Sequence, residues 1–171
     1  MDIADLLVDA FGRVRESVHG AVDGLTGEQL NARLDPDANS IAWLVWHLAR
    51  VQDDHVAAVA GIEQAYTSRG WAQRFGLPFD AAEIGYGQSS ADVGAVRVSD
   101  PALLLDYYED VHQQTLQYVR GLTAADLDRV VDEAWDPPVT LGVRLVSVVD
   151  DDLEHAGQAA FVRGVLERRR G

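Results

Sequence analysis

Two residues that can bind a metal ion stand four positions apart near the end of the chain, Asp151 and His155. The surrounding segment has the apolar spacing of a helix. At about 100° per residue, one stripe of positions falls within an arc of about 40°: Leu141, Val148, His155, Ala159 and Leu166. Asp151 precedes His155 by one helical turn, so both side chains share a face. A carboxylate directed at an apolar core costs free energy unless a partner compensates its charge, and a metal ion is such a partner.

A third candidate ligand, His47, interrupts the apolar face of an earlier helical segment. The other members of that face are Trp43, Leu44, Val51 and Ala58. If the two helices pack side by side, His47, Asp151 and His155 converge. Two imidazoles and one carboxylate form a ligand set that leaves positions open for water or a thiol, whose pKa a divalent ion lowers. The alternatives are a core histidine with ordinary hydrogen bonds and a surface Asp–His pair.

Three further residues lie near these positions along the same helices. Asp54 is two turns beyond His47 and faces a similar way, so it is a candidate partner for that imidazole or else a solvated charge. Arg144 is two turns before Asp151, where a guanidinium can bind a substrate carboxylate bidentately or form a salt bridge with a nearby acid. Trp43, one turn before His47, is a candidate for contact with a ligand or with bound substrate.

Four long helices are the elements that must position these residues. Capping signals bound them, namely Ser40 before the second, Asp100-Pro101 at the start of the third, Thr140 before the fourth and Gly61 after the second. The expected ranges are Ile3–Val22, Ile41–Ala60, 101–120 and Leu141–Arg168. Shorter helices are expected after Thr26 and over 124–130, and no segment has a strand pattern.

The segment between the second and third long helices, residues 62–99, is rich in glycine and irregular. It is expected to hold at most one short helix, near Trp71–Phe75, whose side chains either line a pocket mouth or simply pack. Compact domains seldom contain so long a connection without a functional reason, such as a lid or a pocket wall. We therefore expect an all-α four-helix bundle with a long crossover connection between helices 2 and 3, in a single domain over residues 1–171.

Composition excludes several classes of function. The 171 residues carry a net charge of −14, with 14 arginines and no lysine, which opposes binding to nucleic acid. The chain has no cysteine, so it offers no Cys-ligated zinc and no cysteine nucleophile of its own. No apolar run approaches the roughly 20 residues that span a bilayer, and the acidic N-terminus is unlike a signal peptide. A cytoplasmic protein without a membrane partner is the expectation.

Two segments resemble the metal-binding motifs of the DinB-like superfamily. Residues 40–49 read SIAWLVWHLA, similar to its second-helix motif, and residues 151–158 read DDLEHAGQ, similar to its fourth-helix motif. The resemblance spans essentially the whole chain. It implies a four-helix bundle, often a homodimer, in which His47, Asp151 and His155 bind zinc, nickel or a similar ion. By ligand chemistry zinc is the expected ion, with nickel and iron as alternatives. Many members have histidine where Asp151 stands, whereas the mycothiol-dependent maleylpyruvate isomerases have a glutamate there.

The same resemblance suggests a reaction class. The superfamily includes transferases that use thiols of low molecular weight, such as mycothiol, so a metal-activated thiol that attacks an electrophilic substrate is implied. A thiol supplied by a co-substrate is consistent with the absence of cysteine. Two alternatives stay open, a non-catalytic, dimeric, stress-associated metal-binding protein and a metal-dependent hydrolase that uses activated water.

Overall fold

Four long helices form the frame of the computed structural model, which describes residues 1–169. They are α1 (Ile3–Val22), α3 (Ile41–Ala60), α7 (Pro101–Val119) and α8 (Leu141–Arg168). Four short helices accompany them, α2 (Gly27–Leu30), α4 (Ala65–Ser68), α5 (Trp71–Phe75) and α6 (Ser90–Ala95). A 3-10 helix (Ala124–Asp128) and two short strands, β1 (Val130–Asp132) and β2 (Val139–Thr140), precede α8.

Capping side chains determine where the two helices that carry the candidate ligands begin. The Ser40 side chain accepts a hydrogen bond from the backbone N–H of Trp43, and the Thr140 side chain accepts one from that of Val143. Each cap satisfies an N–H group that the first helical turn leaves without a partner. Gly61 ends α3 in the left-handed conformation, with φ of 68°. These predicted ends are confirmed, and they place His47 and His155 in defined turns.

The four long helices pack as a bundle in which α7 and α8 each contact both α1 and α3, whereas α1 and α3 make few contacts with each other. The α1 and α3 helices are therefore diagonal partners, and α8 lies along α3. Residues 41–53 of α3 are all buried, because the crossover connection covers the side of α3 that the bundle leaves open. The expected all-α bundle with a crossover between the second and third long helices is confirmed.

The crossover connection contains more helix than the sequence predicts. Besides α5, at the predicted place, it has α4 and α6, so the expectation of at most one short helix is wrong. A helix of four to six residues has too few turns to display an apolar period. Only the capping box of Ser89 and Asp92 marks the start of α6 locally.

The connection between α7 and α8 also differs from the expectation. The predicted helix over 124–130 ends at Asp128 as a 3-10 helix, and an antiparallel pair of strands follows that was not predicted. In this hairpin Val130 pairs with Thr140 and Asp132 pairs with Val139. Strands of three and two residues are too short for alternation to be recognised. The hairpin packs against α8 and forms a wall beside the contact between α3 and α8.

Among the helices of residues 1–169, none has an apolar stretch long enough to cross a membrane.

Candidate metal centre

The structure brings His47, Asp151 and His155 together where α3 lies along α8. One potential ligand atom from each residue lies within 4.8 Å of the other two. Asp151 Oδ1 is 3.8 Å from His155 Nε2, and the two imidazole centroids are 4.8 Å apart. His47 is buried, whereas the side chains of Asp151 and His155 are 35% and 18% exposed. The cluster is therefore anchored in the core on one side and open to solvent on the other.

The crossover connection holds His47 in one orientation. His47 Nδ1 lies 2.5 Å from the carbonyl oxygen of Ile84, so Nδ1–H donates and Nε2 is left as the free lone pair. Gly85 makes this approach feasible: it has φ of +96°, and a Cβ there would lie 2.6 Å from His47 Nδ1. Burial lowers the pKa of His47, which favours the neutral imidazole that a metal ion requires.

A second hydrogen bond orients His155. Its Nδ1 lies 3.0 Å from Gln158 Oε1, one turn further along α8, so Nδ1–H donates to the amide oxygen and Nε2 faces Asp151. Trp43 packs on both imidazoles, stacked on His47 at 4.6 Å and edge-on to His155 at 6.1 Å between ring centroids. The Trp43 indole N–H donates to Gln88 Oε1 at 2.8 Å, which fixes the ring in turn. Trp43 therefore contacts the candidate ligands directly.

The three potential ligand residues are chemically suited to a divalent cation. Asp151 Oδ2 is buried and has no hydrogen-bond partner among the described residues. A buried carboxylate oxygen without a partner is costly, and a bound cation would compensate it. Two imidazole nitrogens and one carboxylate oxygen are ligands that suit zinc and also nickel or iron. The chain thus offers three candidate ligands and orients both imidazoles by hydrogen bonds at their far nitrogens, as in many metal sites.

Asp54 does not contact His47, so its candidate role as the partner of that imidazole is corrected. Its carboxylate accepts a hydrogen bond of 2.7 Å from Gln64 Nε2 and lies 3.7 Å from His55 Nδ1. The two residues face similar directions, but seven residues of helix separate them by about 10 Å along the axis, too far for contact. The Ile84 carbonyl takes the position expected for Asp54.

Arg144 lies outside the cluster, in a separate cleft further along the contact between α3 and α8. Its guanidinium donates to Asp132 Oδ2 on β1 at 2.9 Å and to His55 Nδ1 at 3.2 Å. The salt-bridge alternative for Arg144 is therefore observed. The aromatic side chains of α5 pack on Tyr107, and Arg74 lies over the Trp71 ring, which favours packing over a pocket role for this helix.

Arg50 is the most important residue of this region that the sequence did not single out. It is fully buried in α3 and donates to the carbonyls of Ala81 and Glu83 and to Gln64 Oε1. One of its nitrogens lies 3.5 Å from the buried carboxylate of Asp53. Arg50 thus holds the backbone just before Ile84, whose carbonyl orients His47. An arginine within an apolar helix, three residues before an aspartate, was the available signal.

Asp152, next to the candidate ligand Asp151, lies about 100° further around α8 and is buried in the core. It is fully buried, and neither carboxylate oxygen has a hydrogen-bond partner among the described residues. Burial, together with the nearby Asp151, raises the pKa of Asp152 well above its usual range. Of the two aspartates, only Asp151 belongs to the cluster.

Comparisons with known proteins gave one family match and one structural match. The sequence model of the mycothiol-S-transferase family matches residues 6–168. A crystal structure of a conserved protein from Enterococcus faecalis superposes with a TM-score of 0.89 and 29% identity, over 95% of this chain and 96% of that one. No curated protein matches. With a match over nearly its whole length and the DinB-like bundle in place, the chain belongs to the mycothiol-S-transferase family.

Proposed function

We propose that this protein is a divalent-metal-dependent thiol S-transferase that uses mycothiol or a similar thiol. One observation carries the proposal: His47, Asp151 and His155 converge at a solvent-open point, where Asp151 has a buried oxygen without a partner. Membership of the mycothiol-S-transferase family supports the choice of reaction. Zinc is the proposed ion, with nickel and iron as alternatives, because mixed imidazole and carboxylate ligation suits it.

The chain's own residues would divide the work. His47, Asp151 and His155 would hold the ion, which when bound supplies Lewis acidity that lowers the pKa of a thiol. Ile84 and Gln158 keep both imidazoles in the tautomer that leaves Nε2 free, and Trp43 shields one side of the cluster from water. The sulfur must come from a co-substrate because the chain has no cysteine.

Two concavities flank the cluster and give a two-substrate reaction the room it needs. One is an apolar groove of about 440 Å³, and its lining includes Gln158, the residue that accepts a hydrogen bond from His155. Its lining residues are Leu34, Ala38, Asn39, Leu44, Gly157, Gln158, Phe161 and Val162. The other, of about 320 Å³, lies at the opposite end of the α3–α8 contact, beside His55 and Arg144. We assign one to the thiol and the other to the electrophile.

The experiment that tests this function measures S-conjugation. Protein loaded with zinc, nickel or iron is mixed with mycothiol and a chloromethyl electrophile, and the conjugate and released chloride are quantified. In the expected reaction the thiol loses its proton, sulfur bonds to the methylene carbon and chloride leaves. We expect conjugation above the spontaneous rate that a chelator removes and that one added metal restores.

The other outcomes separate the alternatives. Ester hydrolysis that needs the metal but no thiol would identify a hydrolase. Stoichiometric metal without either turnover would identify a non-catalytic metal-binding protein. If the purified protein takes up no divalent ion, the proposal fails at its first step.

Gly85 provides a sharper test of how the chain positions His47. Gly85→Ala places a Cβ against His47 Nδ1 and displaces the Ile84 carbonyl, so we expect metal affinity to fall by about 10- to 100-fold. Gly87→Ala is the matched control, because Gly87 also has a positive φ, +71°, but no atom within 4 Å of its Cβ position. Chelator competition measures both variants. Equal losses in the two would show that backbone strain alone, rather than the approach to His47, is responsible.

A homodimer is also part of the proposal. Four apolar side chains of α8 are exposed and fall within an arc of about 80°: Val143, Val146, Leu153 and Phe161. A stripe of this kind on a helix of a protein this acidic is a reasonable contact between two copies. Sedimentation equilibrium distinguishes the dimer from a monomer.

A further inference from the structure

Two arginines and a histidine line a cleft at one end of the contact between α3 and α8. The cleft has a volume of about 320 Å³ and is walled by α3, α8 and the β1–β2 hairpin. Its lining residues are His55, Ala58, Val59, Arg129, Val130, Val131 and Arg144. Two guanidinium groups in one cleft are notable in a chain with a net charge of −14.

Only one of the two guanidinium groups has a carboxylate partner. Arg144 donates to Asp132 Oδ2 at 2.9 Å. Arg129 donates to the Val59 carbonyl and to Tyr118 Oη, both at 3.0 Å, and within residues 1–169 it forms no salt bridge. Asp54 also approaches the cleft, with its carboxylate 3.7 Å from His55 Nδ1, so the guanidinium that no carboxylate pairs with in residues 1–169 is that of Arg129. Most N–H groups on each guanidinium have no partner within the described chain, so they are available to an anion.

His55 adds a further donor. A guanidinium has no acceptor, so the contact of 3.2 Å means that Arg144 donates to His55 Nδ1. The imidazole proton then resides on Nε2, and this N–H is a donor in addition to the two guanidinium groups. Burial, and after it the charge of Arg144, lowers the pKa of His55, so the ring is neutral at neutral pH.

The cleft lies at a defined distance from the candidate metal centre. His55 is eight residues beyond His47 on α3, and Arg144 is seven residues before Asp151 on α8. At 1.5 Å per residue these separations correspond to about 10–12 Å along the two helix axes. The Asp151 carboxylate is close enough to His55 to raise the pKa of that imidazole against the effect of burial. Both sites therefore lie along the same contact between α3 and α8.

From these observations we infer that the cleft binds a carboxylate group through Arg144 and Arg129. Planar guanidinium groups can bind carboxylates bidentately, and Arg144 already binds the Asp132 carboxylate through one nitrogen. The electrophilic substrate is then an organic acid whose carboxylate lies about 10 Å from its reacting carbon. This last step rests on the proposed transferase function, whereas carboxylate binding in the cleft does not.

A matched pair of probes tests the binding. Benzoate and benzamide have nearly the same shape and differ in charge. Each is titrated into metal-loaded and metal-free protein, and NMR shifts of His55, Val130 and Val131 are followed. We expect saturable shifts with benzoate in both forms of the protein and none with benzamide. Equal binding of the two probes would overturn the inference. So would benzoate shifts confined to His47 and His155 that need the metal.

Substitutions in the cleft are expected to change the affinity for benzoate in opposite directions. Arg144→Gln and Arg129→Gln should each weaken benzoate binding by roughly tenfold or more, because each removes charge-assisted hydrogen bonds. Asp132→Asn should strengthen it several-fold, because the competing carboxylate is gone. Arg13→Gln is the control, since Arg13 forms a similar salt bridge with Asp9 on α1, outside the cleft. Weaker binding in Asp132→Asn, or equal losses in Arg13→Gln and Arg144→Gln, would overturn the inference.

An activity measurement then separates this inference from the proposed function. With a chloromethyl acid and its amide as paired electrophiles, Arg144→Gln should raise KM for the acid much more than KM for the amide. If the wild type conjugates neither electrophile but binds benzoate in the cleft, the transferase proposal fails and carboxylate binding stands. If Arg144→Gln affects the acid and the amide equally, the assignment of the substrate as an acid fails.

Discussion

Asp151→Asn is expected to weaken divalent-metal binding by at least about 100-fold while leaving the metal-free fold intact. The substitution preserves size but removes the only anionic ligand of the cluster. Exchange of residues that merely orient metal ligands already costs 10- to 100-fold, so loss of a charged ligand should cost more. The metal-free protein should not lose stability, because Asp151 Oδ2 has no hydrogen-bond partner in the described structure to lose.

The measurements are metal content by mass spectrometry, affinity by chelator competition and unfolding by denaturant. Asp150→Asn is the matched control, since Asp150 is exposed, one residue earlier on α8 and absent from the cluster. Asp151→His restores the ligand type that many DinB-like proteins have at this position and should recover metal binding. Wild-type affinity in Asp151→Asn would contradict the metal proposal.

Arg50→Met is expected to lower the free energy of unfolding by about 3–5 kcal/mol. The substitution leaves the Asp53 carboxylate buried without its cation, and breaking a buried ion pair by removing one partner typically costs this much. It also releases the carbonyls of Ala81 and Glu83 from the Arg50 side chain. Because Ile84 follows directly, metal affinity should fall together with stability.

Denaturant unfolding compares Arg50→Met with Arg13→Met, which removes an exposed pair with Asp9 and should leave stability nearly unchanged. Adding Asp53→Asn to Arg50→Met should recover part of the loss, because the uncompensated charge is removed. A loss below about 1 kcal/mol in Arg50→Met would show that the buried pair contributes little. If Arg50→Met is destabilised but binds metal with normal affinity, the hydrogen bonds from Arg50 to the crossover connection are not what orients His47.

Helix ends and helix faces were the features that local sequence predicted well. Ser40, Gly61 and Thr140 act through hydrogen bonds and backbone conformation within a few residues, so their effect can be recognised without tertiary structure. The period of 3.6 residues then places His47 on one face of α3, and Asp151 with His155 on one face of α8. Convergence of the three required only that these faces meet.

Asp54 illustrates where the same reasoning fails. Its direction around α3 was predicted adequately, but its distance along the axis excludes contact with His47. The short helices α4 and α6 and the β1–β2 hairpin were missed because each is too short to repeat the period by which it would be recognised. Of these elements the hairpin has the largest consequence for function, since it supplies Asp132 and one wall of the cleft that Arg129 and Arg144 line.

The sequence by itself determined the four long helices, their register and the three side chains of the candidate metal centre, because capping and amphipathic periodicity are local properties. Only the tertiary structure decided what holds those side chains. The Ile84 carbonyl comes from an irregular segment 37 residues away, and Arg50 contacts that segment across 33 and 31 residues. A backbone carbonyl has no residue-type signature, and its position depends on long-range packing of the crossover against α3. The orientation of His47 and the cleft at Arg144 are therefore products of the assembled fold.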